Sequence, residues 1–265
     1  MTESTANTND KILRKLAAMR MFDDAFMSAV FDGRNEETAL LLNIILGRSD
    51  IKVLSVKTQV YITNIYGREV KLDILAEDES GKAYNIEIQR ELAGASPQRA
   101  RFHAALVDGR LLKKGQNFDD LPDRYTIFIT EEDKYQKGLP AYHAQYTLQE
   151  LENEPLGDGS FLIYVNGQYR NTDTPIGRLM HDFACNKSED LLTPLLRERV
   201  HYLKNTKGGR EEMSSMVEEL ITEEKIEMAK QAILRGKYSL EDIAGILDLP
   251  LAFVQELAKQ SNIRY

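Results

Sequence analysis

The chain has 265 residues, 42% of them hydrophobic and 29% charged, with a formal net charge of −8. That length holds one large domain, or one domain with a smaller appendage, and no run approaches the roughly 18 apolar residues of a membrane span. A single cysteine, Cys185, excludes an internal disulfide and a thiolate zinc site, and the acidic excess argues against broad electrostatic adhesion to nucleic acid, where Lys and Arg must displace counterions.

The polar start MTESTANTNDK has no apolar signal-peptide core, so a cytoplasmic protein that stays off membranes is expected. Residues 1–10 read as a disordered segment. From Lys11 to Phe31 a helical pattern sets Ile12, Leu16 and Met19 on one face, followed by Phe22, Phe26 and Val30. Asn35 is the expected cap of a helix over Glu36 to Leu46, which Gly47 stops. Lys52 to Ile62 alternates as a first strand, and Asn64 to Gly67 makes the turn after it.

Val70 to Glu91 reads as a hairpin, two alternating segments joined at Asp78-Glu79-Ser80-Gly81-Lys82. Side chains alternate with a period of two, so Lys71, Asp73, Leu75 and Glu77 share one face of the first strand, and Asn85, Glu87 and Gln89 share the matching face of the second. A hairpin symmetric about Ser80 sets Asp73 across from Glu87, with Cβ atoms about 5 Å apart. Two carboxylates so placed repel, and need a cation, a shared proton or full solvation. A hard divalent ion such as Mg²⁺ is typically held by one or two carboxylates plus waters and substrate phosphates, and Gln89 points to the same side. The alternative is a solvated outer face of the hairpin.

Downstream, Ser96-Pro97 starts a helix expected to run to Gly115, and a strand at Tyr125 to Thr130 follows, the helical link favouring parallel pairing. Arg90, Arg99, Arg101, Arg110, Lys113 and Lys114 face only Glu91 and Asp108 in this segment, either as a solvated helix face or as phosphate contacts. The histidines, His103, His143, His181 and His201, are scattered without metal-ligand spacing and read as surface or internally satisfied side chains. Further short strands, helices over Pro175 to Cys185 and Thr193 to Lys204, and a linker at Lys207-Gly208-Gly209 complete the domain. The expected division is 1–20, 21–206 and a helical tail over 210–265. In the tail, Glu211 to Arg235 is a long helix, Ser239 and Asp242 form a capping box, and the pair of helices ending at Lys259 resembles a helix-turn-helix.

An Asp at the end of one strand followed by Glu-x-Gln on the next resembles the PD-(D/E)XK nuclease superfamily, with Gln89 where Lys is usual. The wider order, FDDAFMSAVF at Phe22 to Phe31, LLNIILG at Leu41 to Gly47, the hairpin, then RARFHAALVDGRLLKKG from Arg99 to Gly115, resembles the branch of PD-(D/E)XK family transposases. The likeness runs from about Met21 to Lys204. It implies an α/β, restriction-endonuclease-like αβββαβ core with a mixed sheet, and hydrolysis of DNA with Mg²⁺, or Mn²⁺, held by Asp73 and Glu87. Gln89 would orient the attacking water or the phosphate. The helix before the first strand would supply a further acid, Glu37, with Glu36 and Asp24 as alternatives, and Arg90, Arg99 and Arg101 would contact DNA. Two other readings remain: a DNA-binding module that works through the tail, and an interaction protein whose C-terminal helices join a homo-oligomer.

Overall fold

Alternating apolar residues build three strands in succession, β1 Val53–Ile62, β2 Val70–Asp78 and β3 Ala83–Gln89, in a computed structural model that describes residues 17–62 and 69–260. The polar segment 1–10, the helical residues Ile12 and Leu16, and the turn at Asn64 to Gly67 lie outside the described residues. Antiparallel pairing of β2 with β3 sets Ile74 against Ile86, Leu75 against Asn85, Ala76 against Tyr84 and Glu77 against Ala83, a register symmetric about Ser80. Asp78 fixes it: one carboxylate oxygen accepts the Ser80 and Lys82 amides, the other the Tyr84 hydroxyl at 2.7 Å, and Gly81 takes the left-handed φ of 80° that the turn requires. On the far side, β1 pairs antiparallel with β2, and a bulge turns Leu54 outward.

Beyond β3 the chain makes a short turn at Leu92–Ala95 and then α3, Pro97–Leu111, before β4, Arg124–Thr130, lies parallel to β3. The Ser96 side chain accepts the Arg99 amide and Pro97 occupies the first turn, as expected for this start. α3 stops at Leu111 rather than Gly115, because Leu112 turns extended and Gln116 caps the Lys113 amide with its side chain. Two more strands widen the sheet: β8, Ser160–Asn166, runs parallel to β4, and β5, Ala141–Ala144, closes the edge antiparallel to β8. The order is β1-β2-β3-β4-β8-β5, with β6 Thr147–Leu148 and β7 Glu154–Pro155 as a separate ribbon. This contains the expected αβββαβ core on a mixed sheet.

Helices α1 Asp24–Phe31, α2 Asn35–Leu46, α4 Pro175–Ala184 and α5 Pro194–Asn205 supply most of the remaining core, where Phe183 meets Phe22 and Phe31 with ring centroids 5.5 and 6.3 Å apart. The helical run expected through Phe31 breaks before Asp24, since the Asp23 carboxylate accepts the Arg20 amide and turns the chain. Asn35 is not a cap; its side chain donates instead to the Leu54 carbonyl. Gly47 does end α2, in the left-handed conformation. Lys204 ties down the segment ahead of α1 by donating to the carbonyls of Ala17 and Met19 as well as Asn186.

The chain divides between Met213 and Ser214 into two compact units. The glycine pair expected as a linker lies instead in the first turn of α6, Lys207–Arg235. Gly209 is needed there for contact: a Cβ would sit 1.9 Å from the Tyr202 carbonyl oxygen. In the second unit, the end of α6 packs with α7 Leu240–Leu247 and α8 Leu251–Gln260 through Ala229, Ile233, Ile243, Ala244, Val254, Leu257 and Ala258. Ser239 and Asp242 form the capping box in both directions. With one small core, this unit has little reserve. Ile243→Ala is expected to cost it about 2 to 4 kcal/mol and to speed amide hydrogen exchange over α7 and α8, while protection in the sheet stays unchanged.

Candidate active site

The hairpin register, continued one pair beyond Ile74 and Ile86, sets Asp73 opposite Glu87. The strands are tied at this level by Asp73 itself, whose carboxylate accepts the Ile88 amide at 2.7 Å. The face that carries them is not solvated. Asp73 is 9% exposed, while Asn85 and Glu87 are both at 0%. α3 is the reason, for Ala100, His103 and Val107, spaced three and four apart, turn one stripe of the helix inward.

Burying a carboxylate costs several kcal/mol unless partners replace water. For Glu87 they are lacking: neither oxygen has a hydrogen-bond partner among the described residues. Arg99 Nη2 approaches one oxygen at 3.9 Å, and His103 Nδ1 lies 3.2 Å from the other but misaligned, so both nitrogen and oxygens stay unpaired. The Asn85 amide, on the same face, is also buried with neither polar atom paired. Burial, and next the Glu87 carboxylate, hold the Asp73 carboxyl well above the usual carboxylate range, against the pull of the Ile88 amide. Two carboxylates, one of them unpaired and fully buried, fit a divalent cation that takes up both charges. Among the described residues no three His, Cys, Asp or Glu side chains gather closely enough to hold an ion by themselves. Such an ion would complete its shell from water and a phosphate, as Mg²⁺ usually does.

Gln89 follows on the same face at the end of β3, parallel to Thr130 on β4. Its amide oxygen fits against Gly94, so closely that a Cβ there would sit 1.9 Å from it. Of the basic candidates only Arg99 reaches the carboxylates. Arg90 is engaged elsewhere: its guanidinium pairs with Asp23 and Glu131, Glu131 also pairs with the Arg20 guanidinium, and Asp23 accepts the Arg20 backbone amide. Arg101 lines a groove on the other flank of α3 with Ala104, Ala105, Leu121 and Phe161. Glu37 does not join the pair; it borders a small pocket with Arg34, Glu198, Arg199 and Tyr202. Asp24, in the first turn of α1, adds a smaller upward push on the Asp73 carboxyl. His103 is the residue sequence reasoning missed. Its position in α3, three residues after Ala100 and four before Val107 on one helical stripe, was the available signal that it faces inward.

Because the folded state raises the Asp73 pKa above the ordinary 3.8, it binds a proton that the unfolded chain has released. The stability this contributes is full below that value and is lost as pH rises through the raised pKa. Chelator-treated protein should therefore lose stability toward neutral pH. Asp73→Asn should flatten that part of the profile and leave the metal-free protein as stable as wild type or more so at pH 7, measured by denaturant titration at a series of pH values.

Comparison with known proteins gives one assignment. The chain matches the model of the PD-(D/E)XK nuclease family transposases over residues 29–245, which includes the whole sheet, α3 and the paired carboxylates. No curated protein and no solved structure gives a significant match. With the mixed sheet, its crossover helix and most of the length accounted for, the chain belongs to the PD-(D/E)XK nuclease family transposases.

Proposed function

We propose that the protein is a divalent-metal-dependent endodeoxyribonuclease that hydrolyses phosphodiester bonds during transposition or recombination, with Asp73 and Glu87 as metal ligands. The observation that carries this reading is the fully buried Glu87 carboxylate, unpaired at both oxygens, set across the hairpin from an Asp73 that burial and Glu87 drive toward protonation. A structural acid would have acquired partners. Mg²⁺ or Mn²⁺, when bound, would lower the pKa of a water ligand and offset charge on the phosphate oxygens.

Around that ion the side chains have separable tasks. Gln89 orients the attacking water or the scissile phosphate through its amide, which donates and accepts but brings no positive charge. Arg99, half exposed and within 3.9 Å of Glu87, supplies the nearest cation and so takes the electrostatic share that a lysine at position 89 would hold. Asp24 is the acid from the preceding helix that adds to the field at Asp73. The substrate is DNA, as the family description implies, and a cytoplasmic setting fits a chain in which no described helix is long and apolar enough to cross a membrane.

The C-terminal unit is better suited to a protein contact than to base reading. α8 carries a single cation, Lys259, while Tyr238, Ile246, Leu251 and Phe253 are exposed. A second copy of the chain is the proposed partner. Because α6 contributes Ala229 and Ile233 to that unit's core, the informative truncation ends at Met213, not at Gly236. Residues 1–213 should sediment as a monomer at concentrations where the full chain associates, with little change in DNA affinity.

Incubation with supercoiled plasmid tests the catalytic reading. Nicking or linearisation should need Mg²⁺ or Mn²⁺, stop with EDTA and disappear in Asp73→Ala; equal cleavage by chelated protein would sink it. Gly94→Ala gives a finer test, because the added methyl displaces the Gln89 amide without entering the core. It should lower cleavage by roughly tenfold to a hundredfold while the melting temperature stays near that of wild type.

A further inference from the structure

Three aromatic rings form a ladder across the sheet, on the face opposite the paired carboxylates. Tyr84, Tyr125 and Phe161 stand in register on β3, β4 and β8, stacked with centroids 5.1 and 4.7 Å apart and planes within 14° and 17° of parallel. Side chains alternate along β3, so Tyr84 and Glu87 take opposite faces. Phe161 is the last rung. Beyond it, toward the edge strand β5, a cavity of about 350 Å³ opens, bordered by Phe161, by His143 and Gln145 at the edge, and by Leu46 and Arg48 at the end of α2. In a chain of net charge −8, no carboxylate lines it. Arg48 donates Nε and Nη2 to Asp50 at 2.9 and 2.6 Å, and these two bonds leave Nη1 for a further acceptor.

We propose that this cavity binds one unpaired nucleotide of a DNA strand, its base stacking on Phe161 as the next rung of the ladder and its phosphate meeting Arg48. The proposal rests on the reading of DNA as substrate, and not on the metal chemistry. A nucleotide has a flat apolar face, a polar edge and an anion, and the cavity offers a partner to each: the Phe161 ring, the His143 and Gln145 side chains, and the Arg48 guanidinium. Aromatic side chains on a sheet surface hold single strands in this way, and stacking on them tolerates any base. An imidazole and an amide can each donate or accept, so the edge groups do not force one base either. The volume lies at the low end of small-ligand sites, enough for one base and too little for a pair. Asp50 holds the Arg48 fork in place and offsets part of its charge, so stacking supplies most of the affinity. The site would therefore hold frayed or single-stranded DNA on the sheet face away from the cut.

The test uses the full chain in EDTA, so that no strand is cut, and follows the fluorescence anisotropy of a labelled oligothymidylate of about ten nucleotides. This strand should bind about tenfold tighter than a blunt duplex of its length, and than the same strand made abasic. Phe161→Leu, which removes the ring but keeps apolar volume, should abolish that advantage with a melting temperature near wild type. Arg48→Gln should weaken binding severalfold and lower the slope of log affinity against log salt by no more than about one. In wild type, the Phe161 ring protons should move upfield in NMR spectra when the oligonucleotide is added, and this shift decides the question if Phe161→Leu fails to fold. Equal binding of the normal and abasic strands, or no ring shift, would overturn the site. Thymidine 5′-monophosphate binding as tightly as the oligonucleotide would make it a site for free nucleotides and overturn the assignment to DNA. In either case metal-dependent nicking of plasmid, and the nuclease reading, would stand. Conversely, base-dependent strand binding by a protein that cuts no plasmid would keep this site and remove that reading.

Discussion

Two carboxylates held on one buried sheet face are the constraint on which the rest of this protein depends. A fold seeking only stability would pair them, solvate them or replace them. Here the Asp78 turn fixes the register that brings Asp73 and Glu87 level, the Ile88 amide holds Asp73 in place, and α3 shuts out water. The cost is met by the core around it. Phe22, Phe31 and Phe183 on the helical side, and Ile74, Ile86, Ile127 and Ile163 in the central strands, are all buried, and hold the strands level whether or not the site is charged.

The local part of this arrangement was legible in the sequence, because the period of a strand reports its faces directly. The alternation from Val70 to Gln89 with a turn at Ser80 gives the observed register to the residue, and the pairing of β4 with β3 follows from the helix between them. What alternation does not report is which helix covers which face. A row of Asp, Glu and Asn reads equally as a wet surface, and only the inward stripe of α3, with Ala100, His103 and Val107, supplies the roof that buries it. His103 was hidden for the same reason: its spacing from Glu87 along the chain carries no information, since the crossover brings them together. The choice between Glu37 and Asp24 is hidden for a related reason. Both are first-turn acids with good local reasons to be where they are, and the choice between them depends on how α1 and α2 lean on the sheet. Glycine misled in a different way, for Gly208 and Gly209 look like a hinge but serve a close approach of two helices.

Charge behaves similarly. The sum of −8 says little about the site, where acids are clustered by design and one arginine answers them. The basic run from Arg90 to Lys114 is not one surface either. Folding distributes it: Arg90 pairs with Asp23 and Glu131, Arg99 turns to Glu87, and Arg101 faces the opposite flank of the helix. The Arg90–Asp23 pair ties the chain immediately after Gln89 to the segment ahead of α1, so the residues flanking the site are held by ion pairs on partly exposed surface and by backbone pairing beneath it.

The crossover from β3 to β4 gives the site a place in time as well as in space. The roof over Glu87 is the connection itself, anchored at one end by β3 and at the other by a strand that pairs in parallel, and parallel pairing of this kind closes only after the whole connection exists. On the ribosome, the hairpin can form as soon as Gln89 has emerged, but its carboxylates then stand in water as an ordinary surface. Burial, and with it the loss of water from both Glu87 oxygens, arrives when Thr130 is available. A nascent chain therefore encloses its paired carboxylates at one step of synthesis, and fragments ending before β4 carry them as a wet sheet face.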